Sequence, residues 1–593
     1  MHDMVRASLA LLCAAAVSAL CLTAQTVNLP ARPNIVLIAL DDVGFSDLGA
    51  FGSEISTPHI DALAKRGLRY VRFDTNAICS ATRASLLTGR NAQTVRMTAL
   101  ASTLDAPDAN DTSAYKGEIP RDVEFLPEAL RRAGYATFAV GKWHLSPNYE
   151  TGQPGDNASF PLQRGFDSFY GFKMGWTDQY RPDLIDGNAA VARPDRPDYQ
   201  LSADLIDHAI DSMRNSRRRA PERPFFLYVA MPVAHTPTQV SSPYIDRYAP
   251  VYEKGWDRIR AERFARQQSM GIVRPGAVLT LRENGDPAWD SLTAQQRRID
   301  ARFMAAYAGY LQYGDEQIGR LLDALSTDGI EQNTIVVLLS DNGPASETKT
   351  GGFRVPYGDR TTMQEMDEHL AELGGPTTQP LYQRPWAYAG ATPLRRYKLW
   401  PYLGGIRTPL VIAWPGRVAD PGAIRSQYVH VSDIAPTLLD AAGASFRDGV
   451  PGRSIVSTVR SAKAETPHSL QFFELWGNRA ITSGRWRAVS VHEAGTDFSR
   501  DLWQLFDVEA DPTESRDLAA ANPAKLSELQ RLWQQEAAKY GDLPLREAPA
   551  ASSSVGAISL TCTYWDRIAP GSATRPGHAM TSGVRMPPRY GHS

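Results

Sequence analysis

The chain has 593 residues, 43% of them hydrophobic, which is ample for a large core and long for one compact unit, so one big domain with a smaller one attached is expected. Lys and Arg number 63 against 65 Asp and Glu, and the formal net charge of −2 excludes a global field that would draw the chain to nucleic acid or to a membrane surface. Any anionic partner must be caught by a local cluster of charge.

The first residues read as an export signal. Arg6 precedes the apolar run Ala7 to Leu22, and Leu22-Thr23-Ala24 forms a cleavage site, so residues 1–24 are expected to be removed and the mature protein to be periplasmic or secreted. The run is too short for a membrane span and no later segment is long enough, so no stable membrane insertion is expected. Of the four cysteines, Cys13 and Cys21 leave with the signal, and Cys79 and Cys562 lie too far apart in sequence to be expected partners. Cys79 is left to be explained, its plainest reading being a buried thiol.

After the signal, apolar strand-like runs alternate with helical periodicity, the pattern of a largely parallel α/β sheet covered on both faces. Asn34 to Leu40, Ala136 to Val140, Phe225 to Ala230 and Thr334 to Leu339 read as strands, and Ile60 to Gly67, Glu124 to Ala133, Ala203 to Met213 and Arg302 to Leu325 as helices. Between them, 236–295 and 342–394 are polar and irregular and read as long excursions of the kind that line sites. From Val429 the pattern shifts to short strands (Ala480 to Thr482, Trp486 to Val491, Trp503 to Phe506) and one helix, Pro523 to Tyr540. The expected organisation is an α/β domain over 32–428, a large mixed, mostly parallel sheet sandwiched by helices. A smaller C-terminal α+β subdomain over 429–546, a short antiparallel sheet plus a helix, follows it, and then a flexible tail over 547–593 rich in Ser, Ala, Gly and Pro.

In open parallel sheets ligands bind beyond the carboxyl ends of the strands, so the residues just after each strand are informative. The first strand runs into Asp41-Asp42 and the one near Val337 into Asp341-Asn342-Gly343. Either pair alone reads as a turn or a helix cap. Together they place three carboxylates and an amide oxygen at one edge, where they would repel unless a cation sat among them, and an all-oxygen set favours a hard ion, Ca²⁺ or Mg²⁺. The strand Ala136 to Val140 leads to Lys142 and His144, and Phe225 to Ala230 leads to His235; singly these read as structural residues, but they reach the same edge.

Cys79-Ser80-Ala81-Thr82-Arg83 continues to Thr88-Gly89-Arg90 and opens a helix. A cysteine there is expected to have a lowered pKa and to face bound anions, with Arg83 one turn on and on the same side. Physical chemistry alone thus suggests a thiolate nucleophile. The segment also strongly resembles the signature of the type I sulfatases of the alkaline phosphatase superfamily, and the resemblance runs from Arg32 to about Leu545. It includes Gly141-Lys142-Trp143-His144-Leu145, Thr392-Pro393-Leu394-Arg395 leading to Lys398, Gly404-Gly405, Trp414-Pro415-Gly416 and Asp433-Ile434-Ala435-Pro436-Thr437-Leu438. Gly255-Trp256-Asp257-Arg258-Ile259-Arg260 and Trp503-Gln504-Leu505-Phe506-Asp507 are most similar to the bacterial arylsulfatase branch.

The resemblance implies that Cys79 is converted to formylglycine by a maturation enzyme, and that the product is an arylsulfatase-like sulfuric ester hydrolase acting on a small-molecule or glycan sulfate ester. It implies one divalent cation, Ca²⁺ ahead of Mg²⁺, on Asp41, Asp42, Asp341, Asn342 and the modified Cys79. It further implies that Arg83 orients the nucleophile, that Lys142 and Lys398 neutralise sulfate oxygens, that His235 serves the leaving oxygen and that His144 removes a proton from the formylglycine hydrate. Two positions depart from the family pattern: Ala81 stands where Pro is usual, which bears on the oxygen-dependent or radical maturation system, and Leu403 stands where Glu is usual, which would change the pocket rim. Two other readings stand beside this one, a phosphonate monoester or phosphodiester hydrolase of the same superfamily and a non-catalytic binder of sulfated ligands with Cys79 unmodified. Trp176, Trp256 and Trp386 fall in loop-like stretches and would make an aromatic rim, though core packing is the commoner use of Trp.

Overall fold

Asn34–Leu40 (β1) is buried along its whole length, and it lies between Phe225–Ala230 (β8) and Thr334–Ser340 (β9), parallel to both. A strand covered on both faces has no polar side to show, which is why these three runs are apolar without alternation. The computed structural model describes residues 32–103, 111, 113–282, 285–348, 351–355 and 361–547, so the segment 1–24 expected to be an export signal, Cys562 and the expected tail beyond 547 lie outside the described residues.

The ten-stranded sheet runs from Ile424–Arg425 (β11) through Leu68–Tyr70 (β2) and Leu410–Ala413 (β10) to β9, β1 and β8. It continues to Ala136–Lys142 (β4), Ser168–Phe172 (β5), Leu184–Asp186 (β6) and Ala189–Val191 (β7). The central strands are parallel, and β10, β6 and β7 join antiparallel. Val36, Ile38 and Leu40 face one core with Met304, Tyr307 and Leu311 of the long helix Ala294–Thr327; Ile35, Leu37 and Ala39 face the other with Leu130, Leu438 and Leu439. That helix begins earlier than its apolar stripe because Thr293 and Gln296 form a capping box.

The stretch 236–295 differs from the irregular excursion expected. It contains the helices Ser242–Asp246, Ala249–Tyr252 and Gly255–Ser269. The buried face of the last holds Arg260, Arg263 and Gln267 beside Trp256 and Ile259, so polar residues occupy positions where apolar ones would have revealed the helical period. Arg263 can be buried because it donates to Asp47 Oδ1 at 2.6 Å and Glu54 Oε1 at 2.7 Å. The excursion 342–394 likewise holds the short helices Met363–Glu368 and Arg384–Gly390.

The smaller unit is the antiparallel sheet Leu470–Leu475 (β13), Asn478–Ser483 (β14), Trp486–Ser490 (β15) and Trp503–Asp507 (β16). The helix Pro523–Lys539 seals one face through Leu529 and Trp533 against Phe472, Ile481, Ala488 and Leu505. Residues 429–459, which the sequence pattern joins to this unit, pack with the large domain instead: Val429–His430 (β12) forms a separate two-stranded sheet with Phe73–Asp74 (β3), and Ile434, Leu438 and Val459 share the core of Ile335 and Val337 on the large sheet. Among the described residues no helix is long and apolar enough to cross a membrane.

Gly141 sits inside β4 at φ 97°, where an added Cβ would lie 1.9 Å from the Ala230 carbonyl oxygen of β8. Gly141→Ala is therefore expected to destabilise the protein by about 2–3 kcal/mol through backbone strain and displacement of β8, read from the midpoint of urea unfolding; an unchanged midpoint would contradict the tight approach of β4 to β8.

Candidate functional site

In the parallel register Leu40 of β1 pairs with Ser340 of β9, so the residues after both strands leave the sheet side by side. Asp41 and Asp341 are thereby neighbours, and the Asp42 N–H donates to Asp341 Oδ1 at 3.3 Å. Asp41, Asp42, Asp341 and Asn342 are all buried. Asn342 Nδ2 donates to Asp42 Oδ1 at 2.5 Å and to the Gly343 carbonyl at 2.9 Å, which turns its Oδ1 the other way.

Three cations meet these carboxylates. Lys142, at the end of β4, donates from Nζ to Asp41 Oδ2 at 2.7 Å. Lys398 Nζ donates to Asp42 Oδ1 at 2.6 Å and Oδ2 at 2.9 Å. Arg83 donates from Nε and Nη2 to Asp341 Oδ2 at 3.0 and 2.7 Å, and its Nη2 lies 3.8 Å from Asp41 Oδ1. The helix Cys79–Thr88 is buried throughout, and it carries Arg83 to the strand ends and Cys79 to its own first turn. Cys79 Sγ lies 3.2 Å from His144 Nδ1, and Ser102 Oγ lies 3.1 Å from His144 Nε2.

Burial raises Asp41 to about 7 with help from Asp341, against the pull of Lys142 and Arg83. Burial also raises Asp42, but Lys398, His235 and Lys142 together outweigh it and hold that carboxyl at about 2. His144 is pushed well below the usual imidazole range by burial and then by Lys142, Arg83 and Lys398, so it is neutral at pH 7. His235 is lowered too, by burial first and then by Lys398 and Lys142, with Asp42 opposing. His235 Nδ1 faces the Thr236 carbonyl at 2.7 Å, so Nε2, 3.5 Å from Asp42 Oδ2, is the atom left to exchange a proton.

The Cys79 thiol departs from its expectation. Burial pushes it up, and Lys142 and Lys398 fail to bring it back below the ordinary thiol value. A helix N-terminus offers a fraction of a charge, whereas full burial removes the solvation of a whole one. Unmodified Cys79 is thus a poor thiolate.

The donor set fits a hard cation. Among the described residues, Asp41 Oδ1 and Asn342 Oδ1 are buried oxygens with no hydrogen-bond partner. An oxygen of Asp41, an oxygen of Asp42 and a ring nitrogen of His235 lie within 4.8 Å of one another. Oxygens left bare at the convergence of three carboxylates are the donors that Ca²⁺ or Mg²⁺ takes.

All ten residues singled out from the sequence converge here. Three others do so without having been singled out: Tyr228, whose hydroxyl lies 3.2 Å from Arg83 Nη1; Ser102 on His144; and Thr236, whose carbonyl fixes His235. Tyr228 is the one polar-tipped side chain in the apolar run of β8, which could have pointed to it; nothing local marks Ser102. Leu403 is fully buried in a core and does not reach a pocket rim. Trp256 and Trp386 pack edge to face at 5.5 Å beside Trp289 and are core residues, not rim residues. Trp176 is partly exposed and stacked by Arg354.

The sequence profile of the family described as Sulfatase matches residues 33–444, and that described as N-sulphoglucosamine sulphohydrolase, C-terminal, matches 397–539. An uncharacterized sulfatase of Schizosaccharomyces pombe is 31% identical over 523 residues, covering 85% of this chain and 93% of its own length. An arylsulfatase of Klebsiella aerogenes is 30% identical over 429 residues, covering 70% of this chain and 87% of its own. The fold is shared with Ps i-CgsB solved in complex with k-i-k-neocarrahexaose, at a TM-score of 0.60 and 22% identity over 90% of this chain and 99% of that one. It is also shared with the phosphonate monoester hydrolase of Agrobacterium radiobacter, at 0.53 and 19% over 86% and 96%.

Tyr228→Phe keeps the ring and removes the hydroxyl beside the Arg83 guanidinium. A buried donor left with one partner fewer should cost about 1–2 kcal/mol, measured by chemical denaturation; a neutral result would mean that Tyr228 does not help to seat Arg83.

Proposed function

The chain belongs to the sulfatase family and is a sulfatase, and we propose that it hydrolyses a sulfate monoester through formylglycine made from Cys79, beside a divalent cation. The observation that carries this reading is the convergence of Cys79 and Arg83, one turn apart on a single helix, on the carboxylates at the ends of β1 and β9.

Asp41, Asp42, Asp341 and Asn342, with the hydrated side chain of residue 79, would hold the cation, Ca²⁺ ahead of Mg²⁺. Bound there, it supplies positive charge to the nucleophile and to the sulfate oxygens. Lys142 and Lys398, anchored on Asp41 and Asp42, turn their remaining N–H donors toward those oxygens. Arg83, held by Asp341, fixes the direction from which residue 79 approaches sulfur.

One hydroxyl of the hydrated aldehyde passes its proton to a strand-end carboxylate and attacks sulfur as the bond from sulfur to the leaving oxygen breaks. His235 is neutral before substrate enters; its Nε2 takes up a proton as the anionic ester binds beside it, and then gives that proton to the leaving oxygen. The second hydroxyl then loses its proton to neutral His144, whose Nδ1 faces residue 79. The carbonyl re-forms, the carbon–oxygen bond to sulfate breaks and sulfate departs, so water need only rehydrate the aldehyde. The neutrality of buried His144 supports a base role, and the high thiol pKa of unmodified Cys79 disfavours a plain thiolate.

A sulfated small molecule or glycan is the partner consumed, and a formylglycine-generating enzyme is the partner needed in maturation. Export to the periplasm or beyond rests on the pattern of residues 1–24.

The deciding measurement pairs turnover of an aryl sulfate and an aryl phosphodiester with peptide mass spectrometry across residue 79. Sulfate hydrolysis with an aldehyde in place of the thiol is expected; an intact thiol in active enzyme would overturn the mechanism. Asp341→Ala should abolish turnover and remove the rise in melting temperature that Ca²⁺ gives the chelator-treated protein, because a carboxylate ligand and the partner of Arg83 are lost together. Retention of that rise would remove Asp341 from the ligand set. In a host that leaves serine unoxidised, Cys79→Ser should release about one equivalent of alcohol and stay covalently sulfated, since serine has no second hydroxyl to expel sulfate. Sustained turnover by unmodified serine would refute the geminal-diol route.

A further inference from the structure

Arg354 lies outside the machinery just described, yet among the described residues its buried guanidinium has no adequate compensation. Its side chain is 9% exposed, and among the described residues its nearest carboxylate contact is Glu347 Oε1 at 3.9 Å, the outer limit of an ion pair. That carboxylate is engaged elsewhere, since Glu347 Oε1 accepts from the Thr236 hydroxyl at 2.6 Å and Oε2 from the Tyr382 N–H at 3.2 Å. Arg354 Nε and Nη1 are buried and, among the described residues, have no hydrogen-bond partner. Leaving such donors unpaired is costly unless something completes them.

The position of the group says what that is. The Arg354 guanidinium carbon lies over the Trp176 ring, 4.0 Å from its centroid, a cation–π contact that holds the group in place without using any of its N–H donors. Gly175, next to Trp176, is so close to the His144 imidazole that a Cβ there would lie 2.6 Å from Cε1. On the other side, Glu347 joins Arg354 to Thr236, whose carbonyl fixes His235. Arg354 therefore stands between the loops that carry the two histidines. Its backbone is pinned as well, the Arg354 N–H donating to the Gln379 carbonyl at 2.8 Å while Gln379 Nε2 holds Asp178 at 2.8 Å.

We propose that Arg354, held over the face of Trp176, is a specificity-determining residue that binds a second oxyanion, a carboxylate or a further sulfate, carried by the alcohol part of the sulfate ester. This rests on the sulfatase reading of the neighbouring site. A planar guanidinium with free edge donors in a water-poor setting pairs with such a group in bidentate fashion, and an ester without one leaves the donors bare.

The test uses mature wild-type enzyme and the Arg354→Met and Arg354→Ala variants on one scaffold: phenyl sulfate, meta- and para-carboxyphenyl sulfates and meta- and para-phenylene disulfates, with a sulfated uronate disaccharide for longer reach. Both variants should lower kcat/KM by roughly 30-fold or more for at least one anionic ester, mainly through KM, and by less than about threefold for phenyl sulfate. Loss confined to the carboxylates or to the disulfates names the oxyanion. An equal loss on neutral and anionic esters, or no loss on any, overturns the proposal. Melting temperatures near wild type for Arg354→Met exclude misfolding as the cause. Failure of the wild-type enzyme on every sulfate would refute the sulfatase reading instead, and so the two failures are distinct.

Discussion

Three carboxylates at the ends of two adjacent parallel strands are the constraint around which the site is built. Asp41, Asp42 and Asp341 are buried side by side because β1 and β9 run in register to Leu40 and Ser340. Two like charges about 4 Å apart repel by roughly 4 kcal/mol even at an effective dielectric near 20. The chain answers with Arg83, Lys142 and Lys398, one cation for each carboxylate, from three separate places in the sequence. With the two histidines neutral, the cluster is balanced before any ion or substrate enters. A divalent cation on the bare oxygens of Asp41 and Asn342 would tip it positive, and a chain of net charge −2 would then hold one strongly anion-seeking spot.

That balance explains why the residues before Lys142 are so constrained. Gly141 lets β4 touch the Ala230 carbonyl, and only with β4 that close does the Lys142 ammonium reach Asp41. It also explains why the helix bearing Cys79 is buried along its whole length. Arg83 has to cross the interior to reach Asp341, and its other terminal nitrogen is met by the Lys142 carbonyl and the Tyr228 hydroxyl at 3.2 Å each. The same burial that serves Arg83 pushes the Cys79 thiol up, so an unmodified cysteine at this position is a poor thiolate.

The sequence was most legible where burial is uniform. Asn34 to Leu40 and Phe225 to Ala230 are read to the residue, because strands covered on both faces have no competing pattern. The strand-end rule then located the carboxylates, Lys142 and both histidines from local sequence alone. Legibility failed where polar residues do the packing. The helix Gly255–Ser269 buries two arginines, so its period is masked, and the helix Ile434–Ala441 comes after a change in pattern yet belongs to the larger core. Ser102 and Arg354 were invisible for a different reason, since each acts through a contact between distant segments that no short motif records, while Thr236 serves the adjacent His235 with a backbone carbonyl that any residue type would supply.

The smaller unit has a part in the site, although it contributes none of the residues named there. Leu403 stands where a carboxylate would be usual, and its N–H donates to Glu514 Oε2 at 2.8 Å, a side chain from beyond β16. Glu514 is held in turn by Arg487 of β15, from Nε to Oε1 at 2.9 Å. The turn it grips, Leu403-Gly404-Gly405, lies on the loop after β9: the Gly343 N–H donates to the Gly405 carbonyl at 3.0 Å, and a Cβ on Gly343 would come within 2.0 Å of the Gly404 oxygen. The backbone of Asn342-Gly343 is therefore clamped between its own strand and a turn that the smaller unit secures. Lys398 enters the same turn and is fixed by its N–H on the Pro344 carbonyl at 3.1 Å. A buried charge cluster tolerates little displacement, because its attractions and repulsions change steeply with distance while the cost of burial stays. Holding Asn342 and Lys398 from outside the sheet is thus what keeps the balance at the strand ends from depending on the large domain alone.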